Sequence, residues 1–284
     1  MTARVLNLKT EKRKKVLGLK EFIVIVISVV LTTLGIKASD TLWNSDNGQQ
    51  DGPCSQEMVF IPSPNGGFCI DKYESSPGEN CPHANPQNQL DSRTNIDYRD
   101  CKPVAISGKN PWRFISQSQA VAACSRVGKR LPTGKEWQLA AMGTPDIAGQ
   151  KTKDDCNVSK NWEAQPGLTG SGKNCVSSFG IYDMVGNLWE WVDGGINDGK
   201  YKDTVLPENG YIKAVDDEAM PSATDKNTPD ENYYKDYFWI KEKGVRSIAR
   251  GGYWDNGDDA GVYAVYAVTD SSFAGTGIGF RCVK

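Results

Sequence analysis

Most nucleophilic and metal chemistry in proteins draws on thiolates, imidazoles and clustered carboxylates, and this chain is poor in the second of these. His83 is the only histidine among 284 residues. It lies in a Pro/Asn-rich stretch and reads as a solvated side chain, so a Ser-His-Asp triad or a histidine metal cluster has almost nothing to build on. The eight cysteines are Cys54, Cys69, Cys81, Cys101, Cys124, Cys156, Cys175 and Cys282. No CxxC pair occurs among them, which argues against zinc. An even count is what an oxidising compartment converts to disulfides, and all eight are read as disulfide-bonded.

The other chemistry on offer is recognition. Residues 255–277 use only nine residue types (Asp, Asn, Gly, Ala, Val, Tyr, Thr, Ser and Phe), although 24% of the whole chain is charged. All nine can be reached from an Asn codon by changing only its adenines. Two readings stand: a Gly-rich β segment of low diversity, or a surface rewritten by a biased mutational process between fixed ends. On the second reading the ligand-touching residues are Tyr253, Asp255, Asn256, Asp258, Asp259, Tyr266, Thr269, Asp270, Ser271 and Phe273. Tyr supplies wide amphipathic contact with few torsions to freeze, while Ser, Asn, Asp and Gly adapt their hydrogen bonds, the mixture that paratopes use. Tyr253, Tyr266 and Phe273 are the expected hot spots. Trp254, Val262 and Ile278 are expected to face the core. The four aspartates bias the face against acidic partners.

Such a face needs a rigid body under it. Residues 58–62 and 68–74 read as two strands around a Gly66-Gly67 turn, hence a hairpin. Residues 75–102 are Pro/Asn/Asp-rich and read as a long loop stapled by Cys81 and Cys101, a crosslink that limits unfolded freedom where little is buried. Ser116 and Gln119 fit a capping box, with Val121, Cys124 and Val127 on one helical face and Gly128 as the stop. Thr133 and Glu136 form a second box, followed by Trp137, Ala140 and Ala141 and then Gly143. Cys156 and Cys175 bracket another loop. Residues 196–244 read as a long, acidic, Tyr-rich connection.

Charge is uneven along the chain. Residues 1–21 carry seven Lys/Arg against Glu11 and Glu21, a net +5, which leaves −7 on the remainder of a chain whose total is −2. That balance gives no reason to expect nucleic-acid binding. Residues 22–36 are uncharged and apolar. As a helix they span roughly 22 Å, short of a ~30 Å hydrocarbon core, but Lys20 and Lys37 can snorkel and extend the span. A cleaved signal peptide is the rival, and Ile36-Lys37-Ala38 matches a small-x-small cleavage site poorly. The expected organisation is a basic cytoplasmic segment (1–21), a lipid-embedded single-pass transmembrane anchor (22–38), a polar stalk (39–53) and one extracytoplasmic domain (54–284). A pilin-like start, with Glu21 before the apolar run, is the weaker option.

Four phrases in order carry a family resemblance: Gly128-Lys129-Arg130-Leu131-Pro132-Thr133 with Glu136-Trp137; Val185-Gly186-Asn187-Leu188-Trp189-Glu190-Trp191; Arg250-Gly251-Gly252; and Gly279-Phe280-Arg281. Together they resemble the formylglycine-generating-enzyme (sulfatase-modifying factor) domain over residues 55–283. The resemblance implies an α+β, C-type-lectin-like fold with two helices and twisted antiparallel sheets. Within that superfamily, residues 250–282 look most like the variable proteins of diversity-generating retroelements, in which adenine-directed mutagenesis rewrites a lectin-fold surface between such frames. The resemblance also pairs Cys124 with Cys282. It implies a structural calcium held by Asp183, the carbonyls of Gly186 and Leu188, and Glu190, hard oxygen donors that suit that ion; the alternative is that Asp183 caps a turn and Glu190 pairs with an arginine. The enzymes of the family hold copper on two cysteines shortly after the Gly-Gly frame. Those places fall here on Asn256 and Gly261, which cannot supply a thiolate, and fold alone does not carry activity.

The reading is therefore a membrane-anchored, surface-displayed binding protein with a diversified C-terminal face and a protein or surface-polymer ligand. The alternatives are a structural or pilus-like surface protein with a fixed face and, third, a formylglycine-generating oxidase.

Overall fold

Strands β1 (Met58–Ile61) and β2 (Phe68–Asp71) pair antiparallel in register Met58↔Asp71 to Ile61↔Phe68. Gly67 closes the turn at φ +90°, where a Cβ would lie 2.5 Å from both the Ile61 carbonyl oxygen and the Phe60 ring, so only glycine fits. This computed structural model describes residues 53–64, 66–146, 149 and 152–284. The chain divides into two units, Met1–Gln50 and Asp51–Lys284, and the expected basic segment, membrane anchor and nearly all of the stalk lie outside the described residues. Among the described residues no helix is long and apolar enough to cross a membrane.

The body is a nine-stranded mixed sheet with few helices, consistent with the C-type-lectin-like expectation. Its spine is β5 (Trp189–Asn197), whose first four residues are all buried. They are buried because β5 is flanked on both sides: β11 (Val245–Arg250) runs antiparallel to it and β13 (Ile278–Phe280) parallel. Beyond β11 lie β12 (Val265–Ala267), then β10 (Tyr237–Ile240), β8 (Gly210–Val215) and β9 (Pro221–Asp225). Strand alternation sorts side chains to two faces. Val192, Ile248, Val265 and Phe238 join one apolar cluster, built around Trp137. Trp191, Ala249 and Phe280 join another with Trp112, and Trp239 and Tyr266 pack against it.

Both capping boxes form as expected, on Gln117–Ser125 and Gly134–Ala141. Trp137, Ala140 and Ala141 are buried, but the inward face of the earlier helix is Ala120, Ala123 and Cys124, and Val121 is 45% exposed. Small residues face inward because the helix packs close to the sheet. Residues 75–102 are not all loop: a third helix, Gln89–Asp97, is capped by Asn88 and buries only Ser92 and Asn95. It docks through hydrogen bonds, Trp112 Nε1 to Ser92 Oγ at 3.1 Å and Asn95 Nδ2 to the His83 carbonyl at 2.8 Å, so it has no apolar periodicity to detect. Residues 196–244 likewise hold the end of β5, the short strands β6 (Lys200–Tyr201) and β7 (Thr204–Val205), and β8, β9 and β10.

The disulfides are Cys54–Cys69, Cys81–Cys101, Cys124–Cys282 and Cys156–Cys175. Cys124–Cys282 links residues 158 apart and ties the helix Gln117–Ser125 to the chain just after β13. Closing so long a loop restricts the unfolded chain most, so Cys124→Ala/Cys282→Ala should cost about 4–5 kcal/mol against about 3 kcal/mol for Cys81→Ala/Cys101→Ala. Urea denaturation under non-reducing conditions checks this ranking; equal losses would refute the loop-length account.

Candidate ligand-binding face

The two frames are buried throughout: Arg250, Gly251, Gly252 and Trp254 at one end, Gly279 to Cys282 at the other. Each is held for a physical reason. The Arg250 guanidinium stacks on Trp137 with its carbon 5.9 Å from the ring centroid and donates to the carbonyls of Gly134, Ala219 and Tyr263. Gly252 has φ +88°, and a Cβ there would meet the Ala260 Cβ at 2.3 Å. The Arg281 guanidinium grips Glu190 with Nε–Oε2 at 2.7 Å and Nη2–Oε1 at 2.5 Å, and also reaches the Asp71 and Tyr182 carbonyls.

Between the frames, the scaffold holds main-chain atoms. Asp146 Oδ2 accepts from the Val262 N–H at 2.8 Å and Asp236 Oδ2 from the Tyr263 N–H at 2.6 Å. The Gly257 N–H donates to the Val158 carbonyl, and the carbonyls of Thr269, Gly275 and Gly277 accept from Ser247, Phe114 and Trp189. None of these bonds depends on what side chain the segment carries.

All ten residues expected to touch ligand are at least partly exposed, whereas Trp254, Val262 and Ile278 are buried. Tyr253, Tyr266 and Phe273 converge on one hollow of about 270 Å³, with Trp189 and Ile278 as its floor and residues 275–277 along its side. The Trp189 and Tyr266 rings are 5.6 Å apart and tilted by 35°. The remaining seven do not line this hollow. Asp255 pairs with Lys160 at 2.6 Å, Asn256 Oδ1 caps the Tyr253 N–H at 2.9 Å, and Asp270 Oδ1 caps the Ser272 N–H at 2.9 Å. Asp258 accepts from the Gly149 N–H at 3.3 Å, and the Ser271 carbonyl accepts from the Ser118 N–H at 3.3 Å. Asp259 and Thr269 lie half-buried beyond the hollow. Tyr263 was not foreseen as a contact residue, yet it is half-exposed and packs on Tyr233 and Tyr234. Its place in the narrow-alphabet segment was the available signal. Trp189 was hidden inside a family phrase.

At the expected calcium donors, both Glu190 oxygens are engaged by Arg281, and Oε2 also accepts from the Trp137 indole N–H at 2.7 Å. Asp183 sits at φ +59° and its Oδ2 accepts from the Gly170 N–H at 2.6 Å. Its Oδ1 is buried without a hydrogen-bond partner, as is Glu74 Oε1, and both carboxylates act on the same Arg281 guanidinium. An arginine partner for Glu190 and a turn cap at Asp183 are seen, with one Asp183 oxygen left over. Among the described residues no group of three or more His, Cys, Asp or Glu is arranged to hold a metal.

Thiol chemistry finds no group to work with, since all eight cysteines are disulfide-bonded. At Gly261 a Cβ would lie 2.0 Å from Asp236 Oδ1 and 2.2 Å from Asp146 Oδ2, so no side chain can stand there.

Comparison with known proteins agrees with this architecture. The family model described as "Sulfatase-modifying factor enzyme 1-like domain" matches residues 63–284. The chain is 33% identical over 140 residues to "Inactive C-alpha-formylglycine-generating enzyme 2" of Bos taurus, covering 42% of this chain and 46% of that one. It is 31% identical over 101 residues to the "Formylglycine-generating enzyme" of Thermomonospora curvata, covering 29% and 32%. The chain thus spans less than half the length of these curated relatives. Among solved structures, "Treponema denticola variable protein 1" aligns with TM-score 0.43 at 16% identity, covering 81% of this chain and 99% of that one. "Major Tropism Determinant I1 Variant" aligns with TM-score 0.43 at 18% identity, covering 82% and 53%.

The carboxylates that clamp the segment are themselves out of water. Burial, with the charge of Asp258 added, pushes Asp146 up to about 7 against the pull of the Val262 N–H. Burial and the neighbouring Asp146 hold Asp236 well above the usual range. Burial likewise raises Asp183 to about 7. A folded-state pKa above the unfolded value means that the folded chain keeps protons the unfolded chain has lost. Stability should therefore fall as pH rises from roughly 4 through about 7. Asp146→Asn keeps an acceptor for the Val262 N–H and removes one titration, so its urea midpoint should fall less over that window. A wild-type midpoint that is flat from pH 5 to 8 would refute the assignment.

Proposed function

We propose that this chain, which belongs to the sulfatase-modifying factor enzyme 1-like domain family, is a ligand-binding protein and not an oxidase. Its C-terminal face is the binding surface, open to diversification in the manner of retroelement variable proteins. Residues 22–38 anchor it in a membrane, with residues 54–284 outside the cytoplasm, and its ligand is a protein or a surface polymer.

One observation carries this reading. The residue sequence 250–282 partitions by burial: every frame residue is inside, and every residue assigned to contact is at least partly in solvent. The nine-type alphabet runs through residues 255–277, and its exposed and half-buried positions carry the Tyr, Asp, Asn and Ser that suit contact. The pairing of all eight cysteines supports the non-enzymatic part, because a thiolate is the species that copper ligation and oxidation of this kind require.

The DNA beside the coding region tests the diversification. An imperfect copy of the bases encoding about residues 250–282 is expected, with mismatches confined to codons of exposed residues and with adenines in the copy. Mismatches at Arg250, Gly252, Trp254 or Arg281 would sink the proposal. At the protein level, Tyr266→Ala with Phe273→Ala should weaken binding to a ligand selected on the full chain by at least ~30-fold, as expected of hot-spot aromatics. The same variant should lose no more than about 2 kcal/mol of stability. Loss of folding in that variant would assign the two rings to the core instead.

A further inference from the structure

The hollow does not end at the variable segment. β10 runs parallel to β12 with Trp239 opposite Tyr266, so Trp239 stands on the face that holds Trp189. From there a row of rings leads away. Trp189 and Trp239 lie 5.4 Å apart, Trp239 and Tyr237 4.8 Å, and Tyr237 and Tyr211 5.2 Å, centroid to centroid. Trp239, Tyr237 and Tyr211 are each half-exposed. All three come from the connection 196–244, outside the narrow-alphabet segment. Single exposed aromatics are ordinary, but a contiguous row of partly exposed rings is the kind of surface that takes a partner.

Charge indicates what the row faces. Between Tyr253 and Gly277 the chain has four aspartates and no lysine or arginine. Asp255 is paired with Lys160, Asp270 accepts from the N–H and hydroxyl of Ser272, and Asp258 accepts from the Gly149 N–H. Among the described residues, neither Asp258 nor Asp259 forms a salt bridge. Asp259 lies beside Tyr211, and its charge raises the phenol's pKa. The rings are also crossed, at 47° for Tyr237 with Trp239 and 84° for Tyr211 with Tyr237. They offer separate faces and edges, not the flat platform along which a chain of sugar rings would lie.

We propose that Tyr211, Tyr237 and Trp239 form a fixed half of the binding face, and that the partner is a protein segment. That segment places an apolar side chain in the hollow and an arginine or lysine against the aromatic row near Asp258 and Asp259. A cation is attracted by ring faces and by carboxylates together, while an acidic partner is repelled by both. The fixed rings supply attraction common to every variant of the segment, and the variable rings supply discrimination. The inference rests on the binding reading above, and its test separates the two.

The test is a random-peptide display selection on the full chain at low ionic strength. Selected peptides should combine Arg or Lys with a large apolar residue. Their affinity should fall about tenfold in Tyr237→Ala and in Asp258→Asn/Asp259→Asn, and fall again on adding salt. Tyr237→Phe should retain binding, and matched unfolding midpoints exclude a folding defect. Peptides that lose affinity to Tyr266→Ala but not to the Tyr237 or aspartate variants would overturn this inference and leave the binding reading standing. Peptides indifferent to both sets would overturn both. Selections that return no binder, or only binders lacking a cationic residue, would also overturn this inference.

Discussion

The buried pair of Arg281 and Glu190 is the interaction on which the rest depends. Neither side chain is measurably accessible, at 0% and 1%, and removing one partner would leave an uncompensated charge inside, a cost of about 3–5 kcal/mol. The guanidinium also spends its remaining donors on the Asp71 carbonyl beside the hairpin and the Tyr182 carbonyl before the spine. Lysine could not do this, lacking the planar fork. The Asp71 carboxylate takes the Cys282 N–H at 3.0 Å and the Lys129 ammonium at 2.6 Å. Hairpin, spine and final strand therefore meet at one buried polar knot, closed covalently by Cys124–Cys282.

That knot explains why the segment before it can be free. Once both ends are fixed, the middle needs only its backbone held, and the scaffold does this through N–H and carbonyl groups that every residue except proline shares. Freedom is still not uniform. A Cβ at Gly277 would meet the Tyr253 ring at 2.7 Å, and one at Gly275 would meet the Phe273 ring at 2.8 Å. A larger residue at 277 demands a smaller one at 253, so variation across the hollow is coupled between contacting positions. Gly261 has no such latitude, because what its Cβ would strike is a pair of buried carboxylates.

What could be read in advance follows from what leaves a local signature. Capping boxes, turn glycines and the buried frames are written in adjacent residues, and they folded as read. The helix Gln89–Asp97 escaped because it docks by Ser92 and Asn95 instead of an apolar stripe. Strands β6, β7 and β9 escaped because they are short or lie at the sheet's edge, and β8 because its alternation is not sustained past Ile212. The fixed aromatic row escaped for another reason. Sequence shows that residues 196–244 are rich in tyrosine, but only the parallel pairing of β10 with β12 carries Trp239 to Tyr266. At Glu190 the sequence leaves a metal and an arginine open as partners, and only the fold brings Arg281 to it.

On the proposed binding reading, the absence of a thiol at this position and the tolerance of the surface have one structural root. At the position that the resemblance assigns to a reactive cysteine, this chain has Gly261, and the space a side chain would need is taken by Asp146 and Asp236. Each of those carboxylates spends an oxygen on a backbone N–H. They hold residues 262–263 in place, whatever those residues are. An active site needs particular side chains held within tenths of an ångström, which makes substitution around it costly. A binding face that must tolerate substitution needs the opposite arrangement, with precision in the main chain and licence in the side chains. The backbone clamp at Gly261 meets the second requirement, which is the one the proposed binding role imposes.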